Sequence, residues 1–140
     1  MRWAFDADVL IYTAAPGNSL GQAVRTLLES SQDADEFIGS TVLVPEVLIK
    51  PLGRGYRAEV AELEATLSYL RLIPLTYEIS HYAAKLGGVY GLKAVDATHL
   101  ATAAVAGADR LLTNNRRDFR PEVIKEVEVF FPDALPTVGR

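Results

Sequence analysis

Cysteine is absent from all 140 residues, which excludes disulfides, thiolate metal sites and a cysteine nucleophile. Histidine is scarce. Only His81 and His99 occur, so any metal must be held by oxygen or by these two rings, which favours a hard cation such as magnesium or manganese. No segment approaches the ~18 consecutive apolar residues of a membrane span. The opening MRWAFDADVL has no basic region followed by a long apolar run, so a soluble cytoplasmic protein with no membrane attachment is expected. Basic residues are in deficit, 14 Lys and Arg standing against 18 Asp and Glu for a net charge of −4. Nonspecific affinity for phosphate comes from basic groups, so this chain does not coat nucleic acid by bulk charge. It can still process nucleic acid if some of its acids form a metal cluster with basic groups gathered around it. Repeats, low-complexity runs and linker composition are also missing. PLGRGYR (residues 51–57) lacks the lysine followed by Ser or Thr of a phosphate loop, so nucleoside triphosphate binding is not supported.

What is present is an alternation of short apolar runs and amphipathic stretches. RWAF before Asp6 reads as a buried central strand, Val9 to Ala14 as a short helix or turn broken by Pro16-Gly17-Asn18, and Leu20 to Leu28 as a helix. Glu36 to Ile38 is a short strand, after which Ser40 or Thr41 can cap a helix over Val42 to Leu52. Between Tyr56 and Leu70, residues Val60, Leu63, Leu67 and Leu70 share one helical stripe, with Glu59, Glu62 and Glu64 largely off it. Arg71 to Leu75 reads as a strand, Ile79 to Leu86 as a helix stopped by Gly87-Gly88, and Ala94 to Ala106 as an alanine-rich helix. Strands at Arg110 to Thr113 and Val127 to Phe131 follow. Strands alternating with helices imply an α/β three-layer sandwich with a mainly parallel central sheet. One domain over residues 1–133 is expected, with 134–140 a loose tail.

The informative residues are acids among apolar neighbours, because Asp and Glu seldom go inside unless paired or bound to metal. Asp6 follows the first strand, where its carboxylate would point over the sheet edge into the crevice that open α/β sheets use for ligands. Asp8 can cap the helix beginning at Val9. Glu46 lies in VLVPEVLI and, on a helix, faces mainly apolar neighbours; an i,i+4 ion pair with Lys50 is its bland role. Asp96, in AVDATHLATAAVAGA, can either cap its helix or join a site, and His99 one turn on can support it from a second shell. His81 carries no assignment. In RLLTNNRRDF a buried strand ends in Thr113, Asn114, Asn115, Arg116, Arg117 and Asp118, which is a surface loop or the rim of a site. An α/β fold would bring Asp6, Glu46 and Asp96 to one sheet edge. Carboxylates packed together repel, and a divalent cation relieves them. Such a cation can activate water and neutralise a phosphodiester's developing charge, giving hydrolysis without a protein nucleophile.

These residues resemble the PIN-domain ribonucleases, and more narrowly the VapC-like toxins of bacterial type II toxin–antitoxin pairs. FDADVLIY resembles the opening strand motif and VLVPEVL the acidic helix. VDATHLATAAVAGADRLLTNN resembles the third acid with its helix, and LLTNNRRDF the closing motif. The resemblance covers nearly the whole chain and implies a twisted parallel sheet flanked by helices, cutting RNA with Mg2+ or Mn2+. It implies that Asp6, Glu46 and Asp96 are the metal-binding acids. Asn115 matches a position that is often a fourth acid, and Asp118 a further acid before the phenylalanine. Asp8 stands where the family usually has Asn or Ser, and Thr113, like Asp8 and His99, would support the site from behind. A small antitoxin and a second copy of the chain are the implied protein partners. Lys50, Arg54, Arg57, Lys93, Arg116 and Arg117 lie close in sequence to these motifs, where they could hold flanking RNA phosphates.

Two other readings stay open. Asp6-Ala7-Asp8-Val9 also fits the opening of haloacid-dehalogenase-type phosphatases, with Asp6 as nucleophile and Asp8 as acid/base. That family's later acidic motif is incomplete, Leu100 standing where a second aspartate is needed, and Glu46 would be unexplained. The other is an inactive PIN module that grips RNA or a partner without cutting, with Asn115 as the lesion.

Overall fold

In the computed structural model, which describes residues 1–30 and 34–136, one sheet organises the chain. Its strands are β1 (Arg2–Phe5), β2 (Glu36–Ser40), β3 (Arg71–Ile73), β4 (Arg110–Leu112) and β5 (Glu128–Phe130), in the order β3-β2-β1-β4-β5. Every pairing between them is parallel. The helices are α1 (Ala7–Tyr12), α2 (Ser19–Glu29), α3 (Leu43–Arg54), α4 (Arg57–Leu67), α5 (Tyr77–Tyr90) and α6 (Ala94–Val105), with a 3-10 turn at Pro132–Ala134.

Side-chain alternation along the strands makes the layers. Trp3 and Phe5 of β1 and Leu112 of β4 enter one core with Val9, Leu10, Val24, Leu43 and Leu63. Ala4 and Leu111, facing the other way, join Ile79, Leu86, Leu100 and Phe119. Helices α1–α4 therefore cover one face and α5–α6 the other, the expected three-layer sandwich. Helix α6 is apolar almost all round, with Ala97 to Ala103 buried without interruption, because it lies between the sheet and α5. Leu100 and Leu111 are fully buried, and trimming either to alanine should cost about 2–5 kcal/mol. No helix among the described residues is long and apolar enough to cross a membrane.

The structure corrects several boundaries. Gly87 and Gly88 do not stop α5, which runs on to Tyr90 and ends at Gly91 with φ of 70°. Gly87 serves packing instead: a Cβ there would stand 3.2 Å from the Leu92 carbonyl oxygen and 3.4 Å from the Ala97 Cβ, so its absence lets α6 approach. Gly21 plays the same part between α1 and α2, since its Cβ would overlap the Tyr12 carbonyl. Ala134 closes the 3-10 turn and Leu135 is buried in the first core, so chain order extends beyond the expected start of the tail. The rest of that expectation, residues 137–140, lies outside the described residues.

Candidate active site

Three strands end side by side at the middle of the sheet. Asp6 extends β1 by one residue and donates its backbone N–H to the Leu112 carbonyl at 3.0 Å, Thr113 follows β4, and Ser40 closes β2. From β1 the chain goes to β2 on one side and later to β4 on the other, so this edge is the switch point where open α/β sheets place ligands. Asp6 is buried, with 5% of its surface exposed. One carboxylate oxygen accepts from the Ala7 N–H at 2.8 Å and the other from the Thr113 hydroxyl at 2.7 Å. It is thus the N-cap of α1, the role expected of Asp8.

Asp8 instead stands inside the first turn of α1. Its Oδ1 accepts from the Val9 N–H at 2.7 Å and its Oδ2 from the Asn114 N–H at 3.0 Å. Asn114 in turn donates its side-chain amide to the Tyr12 hydroxyl at 3.1 Å, so the loop after β4 is pinned to α1 at both ends. Reading the sequence missed Asn114 and Tyr12 as site-shaping residues; the Asn-Asn doublet at the strand end was the available signal.

Glu46 and Asp96 come from the first turns of α3 and α6, where the partial positive charge of a helix N-terminus favours a carboxylate. Glu46 does not pair with Lys50. Its Oε1 lies 2.5 Å from Nε2 of His99, whose side chain is only 1% exposed against 31% for Glu46. The same nitrogen is 4.0 Å from Asp6 Oδ1. His99 therefore serves Glu46 and Asp6 by contact, where a role behind Asp96 was expected. Asp96 is not a cap, since Lys93 holds that position without a side-chain bond. Its half-buried carboxylate has no hydrogen-bond partner among the described residues.

The loop after β4 is closed on itself. Asn115 accepts from the Asp118 N–H at 3.2 Å and donates to its carboxylate at 3.0 Å, while the Asn115 N–H goes to the Thr113 hydroxyl at 3.1 Å. Asp118 thus supports Asn115 directly. Of the proposed phosphate-binding residues, Lys50, Arg54, Arg57, Lys93 and Arg117 are exposed. Arg116 is tied down: its guanidinium is 2.6 Å from Asp133 and lies over the Phe131 ring at 4.1 Å.

The electrostatics join these acids into one group. Burial, then the charge of Asp6, pushes the Asp8 carboxyl up to about 7, against the pull of the Asn114 and Val9 N–H groups. Burial likewise pushes Asp96 up to about 6, with Asp6, Asp118 and Glu46 adding to it and His99 opposing. Burial disfavours the His99 imidazolium, yet the bond to Glu46 and the charges of Asp6 and Asp96 carry its pKa above the ordinary value. Burial first, and like charge after it, thus disfavour the ionised carboxyls together. The donors are all oxygen, so they fit a hard divalent cation in charge and chemistry. Among the described residues no three acidic or imidazole side chains already stand as a ligand set.

A family model for the PIN domain matches residues 4–121, and the chain belongs to that family. Solved structures agree. A chain in a toxin–antitoxin complex from Klebsiella pneumoniae is 25% identical with a TM-score of 0.65, over 89% of this chain and 98% of that one. VapBC2 from Rickettsia felis, bound to a DNA fragment from its promoter, gives 16% identity and a TM-score of 0.73 over 94% and 98% of the two chains. VapC20 from Mycobacterium tuberculosis, a sarcin–ricin loop cleaving toxin, gives 19% and 0.62 over 78% and 86%. The Rickettsia and Mycobacterium structures bear the VapBC and VapC names of the group that the motifs resemble. No curated protein matches the chain in sequence.

Proposed function

We propose that the protein is a divalent-cation-dependent endoribonuclease, the toxin of a toxin–antitoxin pair, working in the cytoplasm as a homodimer. The carrying observation is the group of acids at the switch point, in which Asp8 and Asp96 are pushed upward by burial and by their acidic neighbours. Membership of the PIN family and likeness to the Klebsiella toxin–antitoxin complex support the reading.

Asp6, Glu46 and Asp96 are the residues that hold magnesium or manganese. Held there, such a cation would supply a water of lowered pKa and positive charge against the phosphodiester. The protein's own part is positional: Thr113 and the start of α1 fix Asp6, and the Asn115–Asp118 pair sets the far wall. Exposed Lys50, Arg54 and Arg117 steer the flanking phosphates. A carboxylate cluster awaiting its cation also suits an arginine or lysine from a small antitoxin, which would block the site by charge-assisted hydrogen bonds.

The test is cleavage of single-stranded RNA with and without Mn2+, for the parent and for Asp6→Asn. Manganese-dependent cleavage that disappears in the variant is expected. Undiminished cleavage by Asp6→Asn overturns the site assignment, and a parent that never cuts but still binds RNA or a partner favours the inactive module.

A further inference from the structure

His99 is the buried polar side chain that the proposed chemistry leaves without a task. It sits on α6 with 2% of its surface exposed, and only one of its ring nitrogens is used: Nε2 meets Glu46 at 2.5 Å, while Nδ1 has no partner. A carboxylate accepts, so the Glu46 bond fixes the proton on Nε2.

Glu46 depends on that bond. No other hydrogen bond or ion pair holds its carboxylate among the described residues, and nearly a third of the side chain reaches solvent. One turn along α3 stands exposed Lys50, at the spacing where a Glu–Lys pair forms readily. With a long flexible side chain, Glu46 has two destinations: outward to Lys50 and water, or inward to the acids.

We infer that His99 is the positioning residue that turns Glu46 inward and makes it a member of the acidic cluster. It does so through Nε2 alone, without itself touching cation or RNA. The inference rests on the reading of that cluster as a cation site. Partners behind a ligand commonly set metal affinity by about 10–100-fold, although they make no bond to the metal.

The two ring nitrogens supply the test. Glutamine can place an amide N–H where Nε2 stands, whereas asparagine reaches only to Nδ1. Mn2+ affinity is measured by calorimetry without RNA, on variants whose folding is checked by thermal melting. His99→Asn and His99→Leu should each weaken Mn2+ binding about tenfold, matching Glu46→Gln, and His99→Gln should retain affinity near the parent's. The double variant His99→Asn/Glu46→Gln should bind no more weakly than Glu46→Gln alone, because the two changes break one linkage. Additive losses in the double variant, or equal losses for His99→Gln and His99→Asn, overturn the positioning role and leave a packing role. A folded parent that binds no Mn2+ overturns the cation site itself, and the inference with it. Should His99→Leu fail to fold, the Gln and Asn pair still decides.

Discussion

The two ends of the sheet carry opposite charge economies. At the end where the strands begin, Glu36, Glu128, Asp35 and Asp109 each meet a cation or a backbone donor. Arg2 bonds Glu36 at 3.0 Å, Arg110 bonds Glu128 at 2.6 Å, and the Met1 ammonium lies 3.4 Å from Asp35. Asp109 accepts the Arg2 N–H at 2.7 Å. At the end where the strands finish, Asp6, Asp8, Glu46 and Asp118 meet N–H groups, one hydroxyl and one histidine, and the Asp96 carboxylate has no hydrogen-bond partner among the described residues. Exposed pairs of the first kind add little stability, and they tie strand ends in register. Unbalanced acids of the second kind oppose folding and persist where a ligand relieves them. The difference separates the scaffold from the site without reference to any relative.

Removing one acid from the unbalanced end should disturb the molecule most. Asp96→Asn should abolish manganese-dependent cleavage and the rise in melting temperature that Mn2+ produces by binding only the folded state. It should also stabilise the cation-free protein, by about 1 kcal/mol or about 3 °C once solvent screening of a half-buried group is allowed for. A lower melting temperature for Asp96→Asn than for the parent in chelator would show that the cluster is not strained by its own charge.

The polar end of β4 comes next. Asn115→Asp adds a charge to the cluster and should shift the manganese activation curve to concentrations lower by about tenfold, whereas Asp118→Asn, which loses a charge and leaves only a neutral amide oxygen to accept from Asn115, should shift it upward by a similar factor. Superimposable curves for both variants and the parent would reduce this strand end to a turn.

Acid and base should separate the two ends by sign. Asp8 at about 7, Asp96 at about 6 and His99 above its ordinary value all hold protons more firmly folded than unfolded. Their contribution is complete below the unfolded pKa of each and is lost as pH rises through the folded one. In chelator, stability should therefore fall on the order of 2 kcal/mol between pH 5 and pH 8, and saturating Mg2+ should restore much of it. Glu36 goes the other way, because the hydrogen bond and charge of Arg2 hold it below 4.5. That contribution is present above 4.5 and lost in acid. Cation-free melting temperatures that rise steadily from pH 5 to pH 8 would contradict the assignment.

Much of this was legible in the sequence, for identifiable reasons. The three-layer fold followed from apolar runs alternating with helical stripes, and Asp6 was conspicuous because a carboxylate directly after RWAF has no bland place to go. Local rules erred where a distant element supplied the partner. Asp8 obeys the spacing of a cap, yet the Asn114 N–H, 106 residues away, takes one of its oxygens. Glu46 has Lys50 at the favourable spacing, and His99, 53 residues on, outcompetes it from inside the fold. Gly87-Gly88 looks like a helix stop, but the approach of α6 makes the missing Cβ a packing feature. Neither spacing nor composition encodes such contacts, because they exist only once the sheet has brought the helix starts together.

Arg116 and Arg117 give the smallest expected effect and the finest division between the ends. Adjacent in sequence, they look equally suited to bind RNA. Arg116 is already held by Asp133 and stacked on Phe131, so moving it to a phosphate would break both contacts. Arg117 is exposed, with no hydrogen-bond or ion-pair partner among the described residues, and can meet a phosphate at no such cost. Arg117→Ala should raise the KM for RNA by about threefold and lower the salt slope of binding by about one unit, the signature of one lost phosphate contact. Arg116→Ala should leave both near the parent values and lower the melting temperature slightly, through loss of packing on the Phe131 ring. If instead Arg116→Ala carries the KM and salt effects, the Asp133 pair yields to RNA, and the boundary between scaffold and site runs through that ion pair.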